Sequence, residues 1–263
     1  MVEELKDIVM SRIRKDVMLS TLAKGTRYDG RAFDAFRETG VKKGVLRSAD
    51  GSALASIGNT KVLASVKFDV AKPFADRPTE GVLISNAELL PTASPSFETG
   101  PPDENSVEFA RIVDRAVRSA ECVNLKSFFI ETDKVLSLFI DLYVLDHAGN
   151  FIDAGTLAAS AALADAKMPK LEGGKIIRGE YTGSLNARPL PISTTLVKVG
   201  GNWLADPSRD EELVQDCRIT IATTEKHVCA IQKGRGSLTK QELLDNIDIA
   251  FKRGSEIRAM IQG

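Results

Sequence analysis

Three arginines on one predicted helix are spaced so that together they could bind phosphate groups. At about 100° per residue, Arg111, Arg115 and Arg118 fall within a stripe about 60° wide on one face of that helix. Arginine suits this chemistry because its planar guanidinium can donate two hydrogen bonds to phosphate oxygens. An ordinary solvated face, on which Glu108 and Asp114 pair with arginines three or four residues away, has the same spacing. The residues alone leave both interpretations open.

A glycine turn that leads from an apolar strand into a helix is the second feature with chemical potential. Turns of this kind bind phosphate through backbone N–H groups and the positive end of the helix dipole, usually with small residues and a cation nearby. Gly149 supplies the glycine, but Asn150, Phe151 and Ile152 follow it. Phe and Ile offer neither a donor nor a charge, and we expect both side chains to pack in the core.

The elements that must position these residues follow from hydrophobic periodicity and turn signals. Strands followed by helices in both halves of the chain predict an α+β fold of two related lobes, each a sheet with helices. We expect an N-terminal helical extension over residues 1–26, a first domain over 27–190 and a second over 191–263. The helices are predicted at 2–23, 106–121, about 154–166 and about 240–261, the last with a capping box formed by Thr239 and Glu242.

Composition limits the classes of function that the chain can have. Its 263 residues are 43% hydrophobic and 27% charged, which is typical of a soluble globular protein. Three cysteines without a CxxC pair predict a reducing, cytoplasmic compartment, and we expect no metal site and no cofactor. No apolar run reaches the ~20 residues of a membrane span. Because the net charge is −1, a nucleic-acid-binding surface would have to concentrate its positive charge locally or share it with a partner.

Separate blocks of the sequence resemble the RNase PH family, and they occur in the family's order. These blocks are RYDGRAFDAFRETGV with ADGSALASIGNTKVLASV, then GPPDENSVEFARIVDRAVRS, then IDLYVLDHAGNFIDAGTLAASAALADA. The resemblance runs from about residue 27 to the end of the chain. Within the family, the additional N-terminal helix, the GPPDEN block and the DPSRDEE block are most similar to the non-catalytic RNase PH-type subunit of the archaeal exosome.

The resemblance implies an RNase PH fold and a place in a phosphorolytic 3′-to-5′ exoribonuclease complex. Catalytic members hold the attacking phosphate with a Gly-Ser/Thr-Arg segment, whose positions correspond here to Asn150, Phe151 and Ile152. The arginine position carries Ile152, so the resemblance implies that this chain lacks the phosphate site and is not catalytic by itself. Isoleucine cannot offset the desolvation of a phosphate ion.

The family also implies partners and an RNA path. The stripe arginines correspond to arginine positions on a helix beside the RNA, and Arg77 in the loop FADRPTEG is a further possible RNA contact. A catalytic RNase PH-type subunit is the expected partner, with three heterodimers alternating in a hexameric ring. RNA-binding cap subunits would lie on one face of the ring, and single-stranded RNA would be the substrate.

Two other functions remain open at the level of the sequence. Catalytic members of the family carry two aspartates six residues apart, and Asp210 and Asp216 have that spacing. The chain could therefore be a phosphorolytic exoribonuclease with an altered phosphate pocket. Alternatively, it could be a purely architectural ring subunit that makes no contact with RNA.

Overall fold

A mixed sheet of six strands forms the first lobe in the computed structural model, which describes residues 14–262. Its strands are β1 (Thr39–Lys43), β2 (Gly51–Ile57), β3 (Thr60–Ala71), β4 (Val82–Leu89), β5 (Phe129–Glu131) and β6 (Lys134–Asp146). Their order is β1-β2-β3-β6-β4, and β5 pairs with β6. Strand β4 runs parallel to β6, and the other pairings are antiparallel.

A smaller antiparallel sheet forms the second lobe. Its strands are β9 (Ile192–Val199), β10 (Asn202–Ala205), β11 (Cys217–Thr223) and β12 (Val228–Lys233), in the order β10-β9-β11-β12. A separate hairpin of β7 (Lys167–Glu172) and β8 (Lys175–Ser184) lies between the two lobes in the sequence. The predicted α+β class and the two sheet-plus-helix lobes are thus confirmed.

The helices cover the sheets and join the lobes. They are α1 (residues 14–22), α2 (Glu104–Ser119), α3 (Phe151–Asp165), α4 (Arg209–Val214) and α5 (Lys240–Gln262), with a short 3-10 helix at Leu125–Phe128. Helix α3 packs against β2 and β3 of the first sheet and against β9 of the second. Its small residues permit this close approach: a Cβ at position 155 would overlap the Phe109 ring of α2. None of the helices within residues 14–262 is long and apolar enough to cross a membrane.

Helix α1 packs on the second lobe. Met18 and Leu22 are buried with Val197 and Val199 of β9 and with Leu204 of β10. The chain begins its described part on the second lobe and then crosses to the first sheet. The N-terminal part of the helix predicted at 2–23 lies outside the described residues.

Turn and proline signals in the sequence also predict a strand at VLRS (45–48), a break that begins at Pro169 and a linker at ARPLPIST (187–194), and the structure differs from all three. The segment VLRS at 45–48, predicted as a strand, is a loop, because the partner strand pairs with residues 39–43 instead. The predicted linker ARPLPIST ends inside β9, since Ile192 already joins the second sheet. The break predicted at Pro169 lies within β7, where the pairing with β8 is irregular. The α5 capping box is present, with the Thr239 N–H donating to Glu242 Oε2 at 2.7 Å.

Candidate functional site

The stripe arginines all lie on the exposed face of α2. Asp103 caps the N-terminus of the helix, because its side chain accepts a hydrogen bond from the Ser106 N–H at 2.8 Å and so fixes the first turn. Its opposite face buries Ile112, Val113 and Val117 in the core of the first lobe, as the periodicity predicted. The amphipathic pattern therefore exposes the arginines to solvent on a helix whose opposite face is packed in the core.

The three arginines differ in their partners. Arg118 forms an ion pair with Asp114 at 2.9 Å and donates to the Leu83 carbonyl oxygen at 3.1 Å. Arg111 and Arg115, by contrast, have neither a hydrogen bond nor an ion pair to another residue in the part of the chain that the structure describes. The expected solvated ion-pair face thus forms at one of the three positions, and two guanidinium groups remain available for a ligand.

Arg77 lies in the exposed loop between β3 and β4. Its guanidinium is 3.8 Å from Asp76 and 3.9 Å from Glu80, and its side chain is 59% exposed. Pairs this exposed contribute little to stability and can be exchanged for another anion. The loop leads directly into β4, which packs against α2.

A carboxylate of this chain occupies the turn whose residues correspond to the phosphate site of catalytic family members. Asn150 has a left-handed backbone (φ 55°) at the start of α3, and its N–H donates to Glu212 Oε1 at 2.8 Å. Its side-chain amide donates to Asp153 Oδ2 and to Asp206 Oδ1, both at 2.8 Å. The positive end of α3 is therefore already satisfied by carboxylates of this chain.

Gly149 allows the second lobe to close over this turn. Its φ is 95°, and a Cβ there would lie 2.5 Å from the backbone nitrogen of Arg209 and 2.6 Å from the Pro207 oxygen. The Arg209 N–H donates to the Ala148 carbonyl oxygen at 3.2 Å, which ties α4 to the turn.

Phe151 and Ile152 fill the space beside the turn. The Phe151 ring lies 5.0 Å from both Phe109 and His147, and Phe97 stacks on His147 at 5.4 Å. Ile152 is 4% exposed and belongs to the main core. Both side chains pack as the sequence predicted, and neither can hydrogen-bond an anion.

The electrostatics of the turn favour neutral side chains. Burial lowers the pKa of His147 to about 4, and the nearby charges of Arg209 and Arg37 act in the same direction. Burial raises the pKa of Asp153 to about 7, although hydrogen bonds from Thr195 and Asn150 oppose this shift. Burial likewise raises the pKa of Glu212 to about 7. Burial is the main cause of all three shifts, so the turn disfavours any group that must carry a charge there without water.

A buried ionic network, which the sequence analysis missed, joins the lobes next to this turn. Burial opposes ionisation of Asp206, but hydrogen bonds and charge from Arg37 hold its pKa below the usual value, and Arg37 Nη2 lies 2.7 Å from Asp206 Oδ1. Arg27 donates to both carboxylate oxygens of Glu211, at 2.9 and 2.5 Å. The signal was available as three arginines in RYDGRAFDAFR and four acidic residues in DPSRDEE, but the sequence does not show that these segments meet.

Asp210 and Asp216 are each paired with a different cation of α1. Arg14 lies 3.2 Å from Asp210, and Lys15 lies 3.3 Å from Asp216. Asp216 also accepts a hydrogen bond from the Gly200 N–H at 2.9 Å, at the tip of the β9–β10 hairpin. Among the described residues, no group of three or more histidine, cysteine or acidic side chains could hold a metal ion. In the structure the two aspartates connect the second lobe with α1.

Family models, curated relatives and solved structures all identify the same family. Residues 35–169 match domain 1 and residues 190–253 match domain 2 of RNase PH, described as the 3′ exoribonuclease family. A curated relative, the exosome complex component Rrp42 of Thermococcus onnurineus, is 45% identical over 261 residues, which cover 96% of each chain.

Two solved structures have the same fold. A chain of the Archaeoglobus fulgidus exosome with RNA bound to the active site superposes with a TM-score of 0.86 at 41% identity, covering 95% of this chain and 98% of that one. A chain of an archaeal exosome core gives a TM-score of 0.85 at 38% identity, covering 98% and 100%. With both domains matched and these identities over nearly the whole length, the chain belongs to the RNase PH-type 3′ exoribonuclease family.

Proposed function

We propose that this chain is a non-catalytic subunit of an exosome, a phosphorolytic 3′-to-5′ RNA-degrading complex. The observation that carries the proposal is the state of the α3 turn. Where catalytic relatives are expected to bind phosphate, Glu212 occupies the Asn150 N–H and Ile152 packs in the core. The Arg37 guanidinium beside the turn is bound to Asp206, and the position at which the family carries an arginine holds Ile152. The turn therefore lacks the free donors that would stabilise an attacking phosphate.

RNA contact is the second part of the proposal. Arg111 and Arg115 are exposed, unpaired among the described residues and held on a packed helix. Two preorganised guanidinium groups suit the phosphates of single-stranded RNA, which they would position without reading bases. Arg118 would contribute less because Asp114 already neutralises it. Arg77, on the loop that leads into β4, is a further candidate contact.

The partner of this subunit would be a catalytic RNase PH-type chain. In this arrangement three heterodimers alternate in a hexameric ring, cap subunits bind RNA on one face, and the complex acts in the cytoplasm. The curated relatives are named as exosome components, and the similar solved chains come from exosome assemblies, which supports this choice of complex. The stripe arginines would then complete the RNA path of the catalytic partner. The domain boundaries at 26/27 and 190/191 remain part of the proposal.

One experiment tests the catalytic claim directly. Purified chain is incubated with oligoadenylate RNA and inorganic phosphate, alone and after assembly with a catalytic RNase PH-type subunit, and release of ADP is measured. We expect no ADP from the chain alone and faster release from the assembly than from the catalytic subunit alone. Release of ADP by the chain alone would refute the proposal and favour an enzyme that uses Asp210 and Asp216.

The purely architectural alternative is tested by reversing charge. The triple variant Arg111→Glu, Arg115→Glu, Arg118→Glu is assembled with the partner, and RNA affinity is measured as a function of salt. A contact role predicts weaker binding and a shallower salt dependence. Unchanged affinity and slope in a correctly assembled ring would leave the architectural role.

A further inference from the structure

An ion pair between the lobes, Arg218 with Glu108, gives an acidic side chain beside the arginine stripe a partner outside the stripe. Glu108 lies three residues before Arg111 on α2, a spacing at which glutamate and arginine normally pair along a helix. In the structure Glu108 Oε1 instead accepts a hydrogen bond from Arg218 Nη2 of β11. Asp114, which lies one helical turn before Arg118, is bound by Arg118. The two acidic residues of α2 that lie within four residues of Arg111 or Arg115 therefore each have another arginine as their partner.

Arg218 is held in position by the second sheet. Strand β11 lies between β9 and β12, and the Gly234 N–H donates to the Arg218 carbonyl oxygen at 3.0 Å. Helix α2 contacts the same sheet, since Ala116 packs with Ala222 and Ala230. The Arg218 side chain is 21% exposed and that of Glu108 is 50% exposed, so the cation is the more firmly fixed partner.

We propose that Arg218 is a positioning residue for RNA binding, which keeps Glu108 away from Arg111. The proposal rests on the RNA contact proposed above. Without Arg218, Glu108 is free to pair with Arg111. An RNA phosphate must then displace this carboxylate, and the positive charge around Arg111 and Arg115 is lower by one. Arg218 thus acts through Glu108 and makes no contact with RNA itself.

The test measures binding of fluorescently labelled single-stranded oligoadenylate, without phosphate ion, to the full chain assembled with its catalytic partner. We expect Arg218→Gln to weaken affinity about twofold to fivefold at low salt and to reduce the salt slope by up to about 0.7, the value of one phosphate contact. Adding Glu108→Gln to this variant should restore both quantities, because the competing carboxylate is gone. Arg218→Lys, which keeps the charge, should bind nearly as well as the unmodified chain.

Two controls separate this role from general effects. Lys170→Gln removes one positive charge from an ion pair on the β7–β8 hairpin and should leave RNA affinity unchanged. If Arg218→Gln does not fold, Glu108→Asp on the exposed helix face serves instead. Its side chain is one methylene shorter, which should weaken the contact with Arg218 and leave a carboxylate three residues from Arg111, so affinity should fall in the same direction.

The outcomes distinguish this proposal from the one on which it rests. Loss of affinity in Arg111→Gln with none in Arg218→Gln would overturn the positioning role and leave the RNA contact intact. A loss in Arg218→Gln that Glu108→Gln does not restore would also overturn it, since Arg218 would then act on RNA or on the fold directly. If Arg111→Gln has no effect, both proposals fail together.

Discussion

The stripe arginines are not equivalent at the scale of single residues, and this leads to a first prediction. We expect Arg111→Gln and Arg115→Gln each to weaken binding of single-stranded RNA about threefold to tenfold and to lower the salt slope by about 0.7. Arg118→Gln should have a smaller effect, because its guanidinium is already shared between Asp114 and the Leu83 carbonyl. Fluorescence anisotropy across a salt series measures both quantities. Equal losses at all three positions would contradict the ranking.

A second prediction concerns Gly149. Alanine at this position must adopt φ 95° and must also push a Cβ into the backbone of Pro207 and Arg209. We expect Gly149→Ala to lower the free energy of unfolding by about 2–4 kcal/mol. Gly201→Ala is the matched control, since Gly201 has a similar φ of 86° but no atom within 4 Å of the added Cβ.

Chemical denaturation of both glycine variants separates backbone strain from closure of the turn. The control should lose about 1–2 kcal/mol, the cost of the left-handed conformation alone. If both variants lose the same amount, the close approach of α4 to the turn is unimportant for stability.

The sequence predicted which side chains face solvent but not which partners they take. Periodicity placed the arginines opposite the core of α2 correctly, because burial of Ile112 and Val113 depends on local spacing. The partner of Glu108 is Arg218, 110 residues away in the chain, and no local pattern indicates that contact. The same limit applies to Glu212, which reaches Asn150 across the lobes.

At the scale of elements, a third prediction concerns the contact by which α1 is attached to the second lobe. Met18 is 2% exposed against the second lobe, whereas its neighbour Val17 is 53% exposed. We expect Met18→Ala to lower the free energy of unfolding by about 2–4 kcal/mol, because it leaves a cavity between α1 and β9. Val17→Ala should change it by less than about 0.5 kcal/mol.

Denaturation monitored by circular dichroism and by proteolysis of the N-terminal segment distinguishes the possible results. Early cleavage with an unchanged global transition in Met18→Ala would mean that α1 detaches locally. Indistinguishable unfolding of the two variants would contradict the burial of Met18 as a source of stability.

Long periodic elements were predictable from the sequence, and short or irregular ones were not. Helices α2, α3 and α5 have apolar spacing or caps that local rules detect, and each was predicted within about three residues of its observed ends. Helix α4 has six residues, too few for a periodic signal, and is defined by the capping box between Ser208 and Glu211. The β7–β8 hairpin has mostly exposed residues and a proline, so its pairing lacks the alternating pattern on which strand prediction depends.

At the scale of the whole molecule, the two lobes meet through groups whose ionisation the fold has shifted. Asp153 on α3 accepts hydrogen bonds from the backbone N–H and the hydroxyl of Thr195 on β9, at 2.8 and 2.7 Å. Asp206 on the second lobe binds Arg37, whose guanidinium also donates to the Ala148 carbonyl oxygen, in the turn after β6, at 2.9 Å. Family resemblance could place the lobes side by side. The charge at their junction depends on contacts that the resemblance does not specify.

This junction makes the stability of the chain depend on pH in a specific direction. The pKa of Asp153 is raised to about 7, and that of Glu212 also to about 7, both chiefly by burial. Between about pH 4 and pH 7 the folded state therefore binds more protons at these groups than the unfolded state does. Their contribution to the free energy of unfolding is then largest at acidic pH and falls as the pH rises. Asp206, whose pKa is lowered, acts in the opposite direction and loses its contribution in strong acid. His147, whose pKa is lowered to about 4, also opposes the fall up to about pH 6.5, but it is one group against two carboxyl groups.

We therefore expect the free energy of unfolding to decrease from about pH 5 to pH 8, with a slope of up to about 1.4 kcal/mol per pH unit for each raised carboxyl group. Denaturant titrations at pH 5, 6, 7 and 8 measure this profile. Asp153→Asn and Glu212→Gln should each flatten it, because a neutral amide removes the titration. Asp69→Asn, at a side chain that is 63% exposed, is the control and should leave the profile unchanged. A profile that rises from pH 5 to pH 8 in the unmodified chain would contradict the uptake of protons by these carboxyl groups on folding. A profile that stays equally steep in Asp153→Asn would show that Asp153 does not contribute to it.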